Sequence, residues 1–377
     1  MKKTREECLA MLRDRADLAS LPNQEELMPF RYMSRDIRPQ QKYVVEDFQP
    51  GDALGVALLY YAIYGEIFPI DSVYDPEALI VLNAGIDLHQ VVGRTENGDI
   101  IGLCAIFRNP PGRRIMEAGS WLVHLAYRNT TLAMRMAQKI YLAPPEYLAL
   151  DVIFGQSVTD HRITQKMADK FHCLSCAIEI EAMPPRPEHE TSWSGGRISL
   201  LDGFRIYHDR PHHIFLPRQY ADTLRIMYDS RGLQRRFFED FSLDEATTKG
   251  SVQCFDSTGL VKITIEQLGR DFPEYLAHWE KEYPNRHVFQ IILPLWRPGC
   301  SLAVEAARSA GYFLGGLLPL WFDHDGLLLQ RVAEEPDFSR IQLFTEEAQR
   351  LLSVIIADRQ SLSWRAGDGR NDCLATT

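Results

Sequence analysis

The residues best placed to do chemistry are Arg128-Asn129-Thr130-Thr131. This polar junction separates a bulky apolar run (Trp121, Leu122, Val123, Leu125) from a stretch in which Leu132, Met136, Ala137 and Ile140 recur at helical spacing. A helix start presents main-chain N–H groups without internal partners, and its dipole is positive there. A strand–turn–helix junction with a guanidinium beside it is therefore equipped to cradle a phosphate or pyrophosphate. Two other clusters invite chemistry. Cys173-Leu-Ser-Cys176, beside His172, has the spacing of half a zinc site or a redox pair, but no second Cys-x-x-Cys completes four ligands. Buried small side chains are expected there. His208, His212 and His213 surround Pro211 in a loop context that fixes no ligand geometry, so a linker or interface role is expected and no metal is assigned. The chain has neither a Gly-x-x-x-x-Gly-Lys-Ser/Thr loop nor a Gly-x-Gly-x-x-Gly after a strand.

The elements that must position the junction can be read around it. Leu88 to Phe107 is two apolar strands joined by Glu96-Asn97-Gly98-Asp99, and Asn-Gly is a strong hairpin signal. Tyr43 to Phe48 predicts a strand, Asp52 to Tyr64 a helix, and the stretch from Pro76 to Asn83 a second helix. Downstream, Leu148 to Phe154 predicts a strand, followed by a helix that ends at Lys170-Phe171 and a further strand to Glu181.

This ordered series, from Tyr43 to Met183, resembles the GNAT superfamily of acyl-CoA-dependent N-acyltransferases. Glu117 falls at that family's acidic position on the fourth strand, and Arg128 to Ala133 fill its six-residue phosphate motif, with Thr131 where the family usually has its first Gly. Gly lets backbone approach a phosphate closely, whereas Thr brings a hydroxyl that caps the helix or bonds the phosphate. The resemblance implies acetyl-CoA or another acyl-CoA as co-substrate. It also implies backbone N–H donors at Leu122, Val123 and His124, a phosphate cradle of Arg128, Asn129, Thr130, Thr131, Leu132 and Ala133, and a further coenzyme contact at Gln165. Glu117 is the implied base, acting directly or through water. No Tyr stands at Gln165, Lys166 or Met167, where the family places the acid for the departing thiolate, so that step falls to another group, such as His161 or water, or the chain is a poor catalyst. The amine acceptor, a small molecule or a protein lysine, is expected against the two early helices and the loop from Gly65 to Tyr74. In the family the strand and helix after the cradle splay from the preceding pair, and the gap admits the pantetheine arm. The rival reading is a non-catalytic sensor of the same fold that binds CoA and contacts a protein partner.

At 377 residues, with 45% hydrophobic and 24% charged residues, the chain has room for two domains. Phe171 to Glu181 aligns with Gly311 to Trp321 about 140 residues later, each after a strand and a helix, which predicts an internal repeat. The expected architecture is α/β, two GNAT-like domains in tandem, each a mixed, mostly antiparallel sheet flanked by helices. Their expected bounds are 41–183 and 198–360, around a Pro/Gly/Ser-rich linker at 184–197, with a helical extension over 1–40 and a flexible tail over 361–377. The second domain lacks the Arg-led cradle and is expected to hold no coenzyme, serving a homodimer or protein partner instead. A net charge of −10 argues against nucleic-acid binding by a basic surface. The first residues lack the apolar core of a signal peptide, and the longest apolar stretches are too short or carry a charge, so a cytoplasmic protein off the membrane is expected. Seven scattered cysteines, an odd number, predict no disulfide framework.

Overall fold

The computed structural model describes residues 3–13, 37–66, 68–185, 195–240 and 245–368. The continuation of the N-terminal helix to Leu21, most of the expected linker and the last part of the expected tail lie outside them. The chain forms two compact units, residues 1–109 with 116–153, and residues 110–115 with 154–377.

The first unit carries α1 (Arg5–Arg13), β1 (Tyr43–Asp47), α2 (Ala53–Tyr64), α3 (Pro76–Asn83), β2 (Leu88–Thr95), β3 (Ile100–Phe107), β4 (Ile115–Val123) and α4 (Leu132–Leu142). Its strands lie in the order β1-β2-β3-β4, each antiparallel to the next. Asn97-Gly98 does turn the β2–β3 hairpin, with Gly98 at φ 87°. One core gathers Cys8, Leu9 and Leu12 of α1 with Val56, Leu59, Tyr60 and Ile63 of α2, Leu79 of α3, and Val92, Leu103 and Leu122 of the sheet.

Two glycines seat α4. A Cβ on Gly93 would lie 2.5 Å from Leu132 Cδ1, and one on Gly102 would lie 2.8 Å from Leu132 Cδ2 and 3.0 Å from Met136 Sδ. The first residue of α4 is thus pressed into a hollow that only glycine leaves open on β2 and β3, which fixes where the helix begins. β4 is irregular. Leu103 pairs with Leu122 and Ala105 with Gly119, so Ser120 and Trp121 together face the single residue Cys104. Ser120 sits at φ 53°, a left-handed conformation uncommon for Ser, and forms a bulge just after Glu117.

The second unit contains β5 (Val152–Val158, whose first residues belong to the first unit), α5 (Ile163–Lys170), β6 (Leu174–Met183), β7 (Ile198–Ile206), β8 (His212–Leu216), α6 (Ala221–Ser230), β9 (Arg235–Glu239), β10 (Lys249–Phe255), β11 (Leu260–Gln267), α7 (Phe272–Glu282), β12 (Val288–Pro294), α8 (Cys300–Ser309), β13 (Phe313–Leu318), β14 (Gly326–Val332) and α9 (Glu346–Asp368). The strand order is β5-β7-β6-β13-β14-β12-β11-β10, with β8 and β9 as a separate parallel pair. The expected repeat is visible in this order. The run β5-α5-β6-β7 places its last strand between the other two, and so does β12-α8-β13-β14.

Two expected boundaries need correction. β7 pairs antiparallel with β6 from Leu174↔Phe204 onward, so the strand expected to open a second domain is bonded to the last strand of the first. Pro and Gly mark where regular structure stops, but they carry no information on whether the flanking strands pair. At the other end α9 continues to Asp368, past the expected boundary at 360.

β6 and β13 pair only at Ala177↔Gly316. Gly316 has φ 141°, and a Cβ there would lie 2.4 Å from the Cys176 carbonyl oxygen, so only glycine fits. The Gln330 side chain on β14 supplies what the short ladder lacks. Its Nε2 donates to the carbonyls of Ile178 (2.9 Å) and Leu314 (3.3 Å), and its Oε1 accepts from Ile180 N–H at 2.7 Å. Cys176 is buried in this unit and its thiol is pushed up to about 12 by burial, as expected of a core cysteine and not of a ligand or redox thiol.

Candidate functional site

β4 delivers the chain into a short turn of 3-10 helix, Leu125–Tyr127, and then into Arg128-Asn-Thr-Thr and α4. The hydroxyl that caps this start is Thr130, one residue earlier than expected: Thr130 Oγ1 accepts from Leu132 N–H at 3.2 Å and donates to the Tyr127 carbonyl at 2.7 Å. Thr131 Oγ1 lies 3.1 Å from the Tyr43 hydroxyl, and the Arg135 guanidinium stacks over the Tyr43 ring at 5.0 Å. Burial pushes the Tyr43 phenol up, but hydrogen bonds from Thr131, Thr130 and Arg135 outweigh it and leave it below its ordinary value. The N–H groups of Thr131, Ala133 and Met134 have no hydrogen-bond partner among the described residues. Arg128, Asn129, Thr130 and Thr131 are exposed, and Leu132 is buried on its glycine seat. An open helix N-terminus with an exposed Arg is an anion-binding arrangement.

The three expected backbone donors before the turn divide. His124 N–H donates to the Ile101 carbonyl at 2.8 Å, and the antiparallel alternation turns Leu122 N–H toward β3 as well. Val123 N–H faces away from β3. The expectation of donors at Leu122 and His124 is therefore corrected: both belong to the β3–β4 ladder, and period-2 alternation would have shown that three consecutive N–H groups never share a side. Glu117 lies half-buried opposite Phe107, and its Oε2 accepts a hydrogen bond from Asn109 Nδ2. Ser120, at the bulge, also meets Tyr60, whose phenol burial pushes up to about 12 against a hydrogen bond to Ser120. Ser120, Asn109, Tyr60 and Tyr43 were not singled out from sequence, since a bulge leaves no mark in residue types.

His161 and Gln165 belong to the second unit, whereas Glu117 and residues 122–133 belong to the first. Gln165 is 3% exposed, and both ends of its amide are taken. Nε2 donates to the carbonyls of Val158 and His161 (both 3.1 Å) and Gln342 (2.8 Å), and Oε1 accepts from Phe344 N–H at 2.9 Å. It ties α5 to the segment before α9, so its assignment as a coenzyme contact is withdrawn. His161 Nδ1 accepts from Ile163 N–H at 3.3 Å at the start of α5.

The helix after β11, where the expected repeat would place a counterpart of α4, begins at an acidic residue. Asp271 precedes α7 and accepts from Thr248 N–H at 2.6 Å. Arg270 N–H donates to the Glu245 carbonyl at 3.0 Å, and Pro273 supplies no N–H. Asp271 stands at the N-cap position without a capping bond, and its carboxylate disfavours an anion there. His212, from the histidine cluster, accepts from Asp325 N–H through Nε2 at 3.3 Å and packs edge-on against His324. Among the described residues no group of three His, Cys, Asp or Glu side chains is placed to hold a metal ion. Nor among them is any helix long and apolar enough to cross a membrane.

The elements from Tyr43 to Met183 follow one another in the order expected from the sequence. Solved structures similar to part of the chain include an acetyltransferase of the GNAT family from Streptococcus pneumoniae (13% identity, 44% of this chain and 99% of that one, TM-score 0.36). They also include an N-acetyltransferase from Staphylococcus aureus Mu50 (11%, 44% and 98%, TM-score 0.35) and a spermidine/spermine N-acetyltransferase from Vibrio cholerae (12%, 44% and 92%, TM-score 0.34). No protein-family model matches the chain, and no curated protein matches it.

His124, 3% exposed, gives the site a pH signature. Its Nδ1 accepts from Ala126 N–H at 3.3 Å, so the neutral ring carries its proton on Nε2, which is buried without a partner among the described residues. Burial lowers its pKa, as it does for His89 and His324. Unfolded imidazoles protonate near about 6.5 while these three resist, so the unfolded chain binds more protons below that pH. Stability is thus fully present above about pH 6.5 and falls as pH drops through and below it. Thermal melts across this range are expected to show that loss, and His124→Gln is expected to show less of it. An identical pH slope in the variant would remove His124 as a source.

Proposed function

We propose that the first unit binds an acyl-CoA at the N-terminus of α4 and transfers its acyl group to an amine, with Glu117 as base. The observation that carries this reading is the open α4 N-terminus beside Arg128, seated by Gly93 and Gly102 at the end of the bulged strand that bears Glu117. Thr131 is compatible with it, since its hydroxyl is engaged by Tyr43. The chemistry needs a deprotonated acceptor nitrogen, a donor for the thioester oxygen and fixed geometry between them. The amine nitrogen attacks the thioester carbonyl, the C–N bond forms and the C–S bond breaks. The amine proton passes to Glu117 directly or through water. The departing thiolate, with a pKa near the ordinary thiol value of about 8.5, takes up a proton from water or a side chain. Val123 N–H is the backbone donor we assign to the coenzyme arm, and Arg128 to Ala133 to the pyrophosphate.

Calorimetric titration with acetyl-CoA tests the reading. Binding by the wild type is expected, weakened by about tenfold or more in Arg128→Glu, which replaces a charge-assisted hydrogen bond worth about 1.5–3 kcal/mol with repulsion. No binding by the wild type would overturn the acyltransferase, and undiminished binding by the variant would show the cradle misplaced. Thiol release with a panel of amines then separates an enzyme from a protein that only binds the coenzyme.

A further inference from the structure

The second unit carries a cleft of about 380 Å³ between α6 and α9, within the range of about 300–1,000 Å³ usual for small-molecule sites. Positions from Thr223 to Ser230 on α6 and from Glu347 to Val354 on α9 run along it, a length of about 10 Å at about 1.5 Å of rise per residue. Its two ends differ. Met227 and Leu351 form a buried apolar floor, with Ile226, 67% exposed, and Val354 on the rims. At the other end Arg231, immediately after α6, lies against Glu347 in the first turn of α9, and Arg350 follows one turn later. The Arg231 side chain is 3% exposed, yet its hydrogen bonds go to neutral acceptors. Nε (3.0 Å) and Nη2 donate to the Ser175 carbonyl, and Nη1 donates to the Met227 carbonyl at 3.2 Å and the Ser230 hydroxyl at 3.1 Å. The Glu347 carboxylate stands 3.5 Å away, beyond the reach of a good charge-assisted hydrogen bond. A buried charge held by neutral groups stays costly until an anion answers it. Arg350 has no partner among the described residues. Two guanidiniums against one carboxylate give this lining an excess of positive charge in a chain whose net charge is −10.

We propose that this cleft binds a medium-chain carboxylate, with its chain along Ile226, Met227, Leu351 and Val354 and its carboxylate between Arg350 and Arg231. The site lies wholly in the second unit, so it stands or falls independently of the acyl-CoA reading. An apolar trough that is polar at one end fits a molecule of the same polarity. Each methylene fully buried there raises affinity about fourfold. The guanidiniums select the head group: a carboxylate gains charge-assisted hydrogen bonds, an alcohol gains no ion pair, and an ammonium is repelled. Glu347 moderates the positive charge of the lining. It is partly exposed and only loosely engaged by Arg231, so its side chain can turn to solvent as a carboxylate enters.

Octanoate is the probe, titrated by calorimetry into the full chain below its micellar range, with and without coenzyme A. Saturable binding is expected, about tenfold weaker in Arg350→Ala and several-fold tighter in Glu347→Gln, which removes the like charge beside the head group. Hexanoate, shorter by two methylenes, is expected to bind up to about tenfold more weakly, and octylamine not at all. Ile226→Asp places a charge where the side chain is exposed, so the fold is expected to persist while octanoate binding is lost. Octanoate that does not saturate, octylamine that binds as tightly, or an octanoate affinity unchanged in Arg350→Ala or Glu347→Gln would overturn the proposal. Displacement of octanoate by coenzyme A would place it in the first unit and overturn the proposal as well. A dimer in sedimentation that Ile226→Asp dissolves, with octanoate bound by neither form, would assign the cleft to a second copy of the chain instead.

Discussion

Asp325→Ala is expected to cost the second unit about 3–5 kcal/mol, the usual penalty for removing one partner of a buried ion pair. Asp325 precedes β14 and is fully buried, and so is the side chain of Arg235 at the start of β9. The carboxylate accepts from Arg235 Nε at 2.6 Å and Nη2 at 3.1 Å, and from Leu320 N–H at 2.8 Å. Burial alone would raise its pKa, but His212 and Arg235 hold it well below the usual carboxylate range. Without Asp325 the guanidinium keeps Asp209 Oδ1 and the Gln234 carbonyl, each at 2.7 Å, yet loses both bonds on its buried side. The penalty comes mostly from the stranded charge, so Arg235→Met combined with Asp325→Leu is expected to recover most of it. Urea unfolding of the single and double variants checks this. A loss below about 1 kcal/mol in Asp325→Ala would show that water reaches Arg235 and that the cluster is less sealed than its exposure indicates.

The pair illustrates what residue order conceals. Arg235 and Asp325 are ninety positions apart, and nothing local marks them as partners. Elements with a local cause were legible: the Asn97-Gly98 hairpin, the apolar β4, and the helical spacing from Leu132 to Ile140. The repeat was legible as well, because two copies of one strand–helix–strand run keep similar residue types. What was misread depended on pairing. The segment 184–197 looked like a domain boundary, yet β7 returns to pair with β6. Of the two roles read for Thr131, cap or phosphate contact, the first falls to Thr130, because the turn at Leu125–Tyr127 shifts which hydroxyl reaches Leu132 N–H. Gln165 was placed by alignment to a motif, whereas its neighbours in space, Gln342 and Phe344, come from far along the chain. Gly93 and Gly102 seat the start of α4 from β2 and β3, a role that only the close approach of Leu132 reveals.

Glu117→Gln is expected to lower kcat by about 10²–10⁴, the range set by losing a general base, while leaving the Kd for acetyl-CoA within about twofold. Gln matches Glu in shape, and its amide oxygen can still accept from Asn109 Nδ2, so the β4 backbone and the bulge at Ser120 keep their geometry. What the substitution removes is the ability to take a proton from the amine. The two-sided expectation matters because Glu117 also has a structural partner. If its main role were to hold Asn109 and the end of β3, Asn109→Ala would reduce turnover about as much as Glu117→Gln and would lower the melting temperature as well. If Glu117 is the base, Asn109→Ala changes kcat far less, and raising the pH restores part of the Glu117→Gln rate by supplying more neutral amine from solution. Equal kcat in wild type and Glu117→Gln, with acetyl-CoA binding intact, would place the base elsewhere and leave the α4 cradle as a coenzyme site alone.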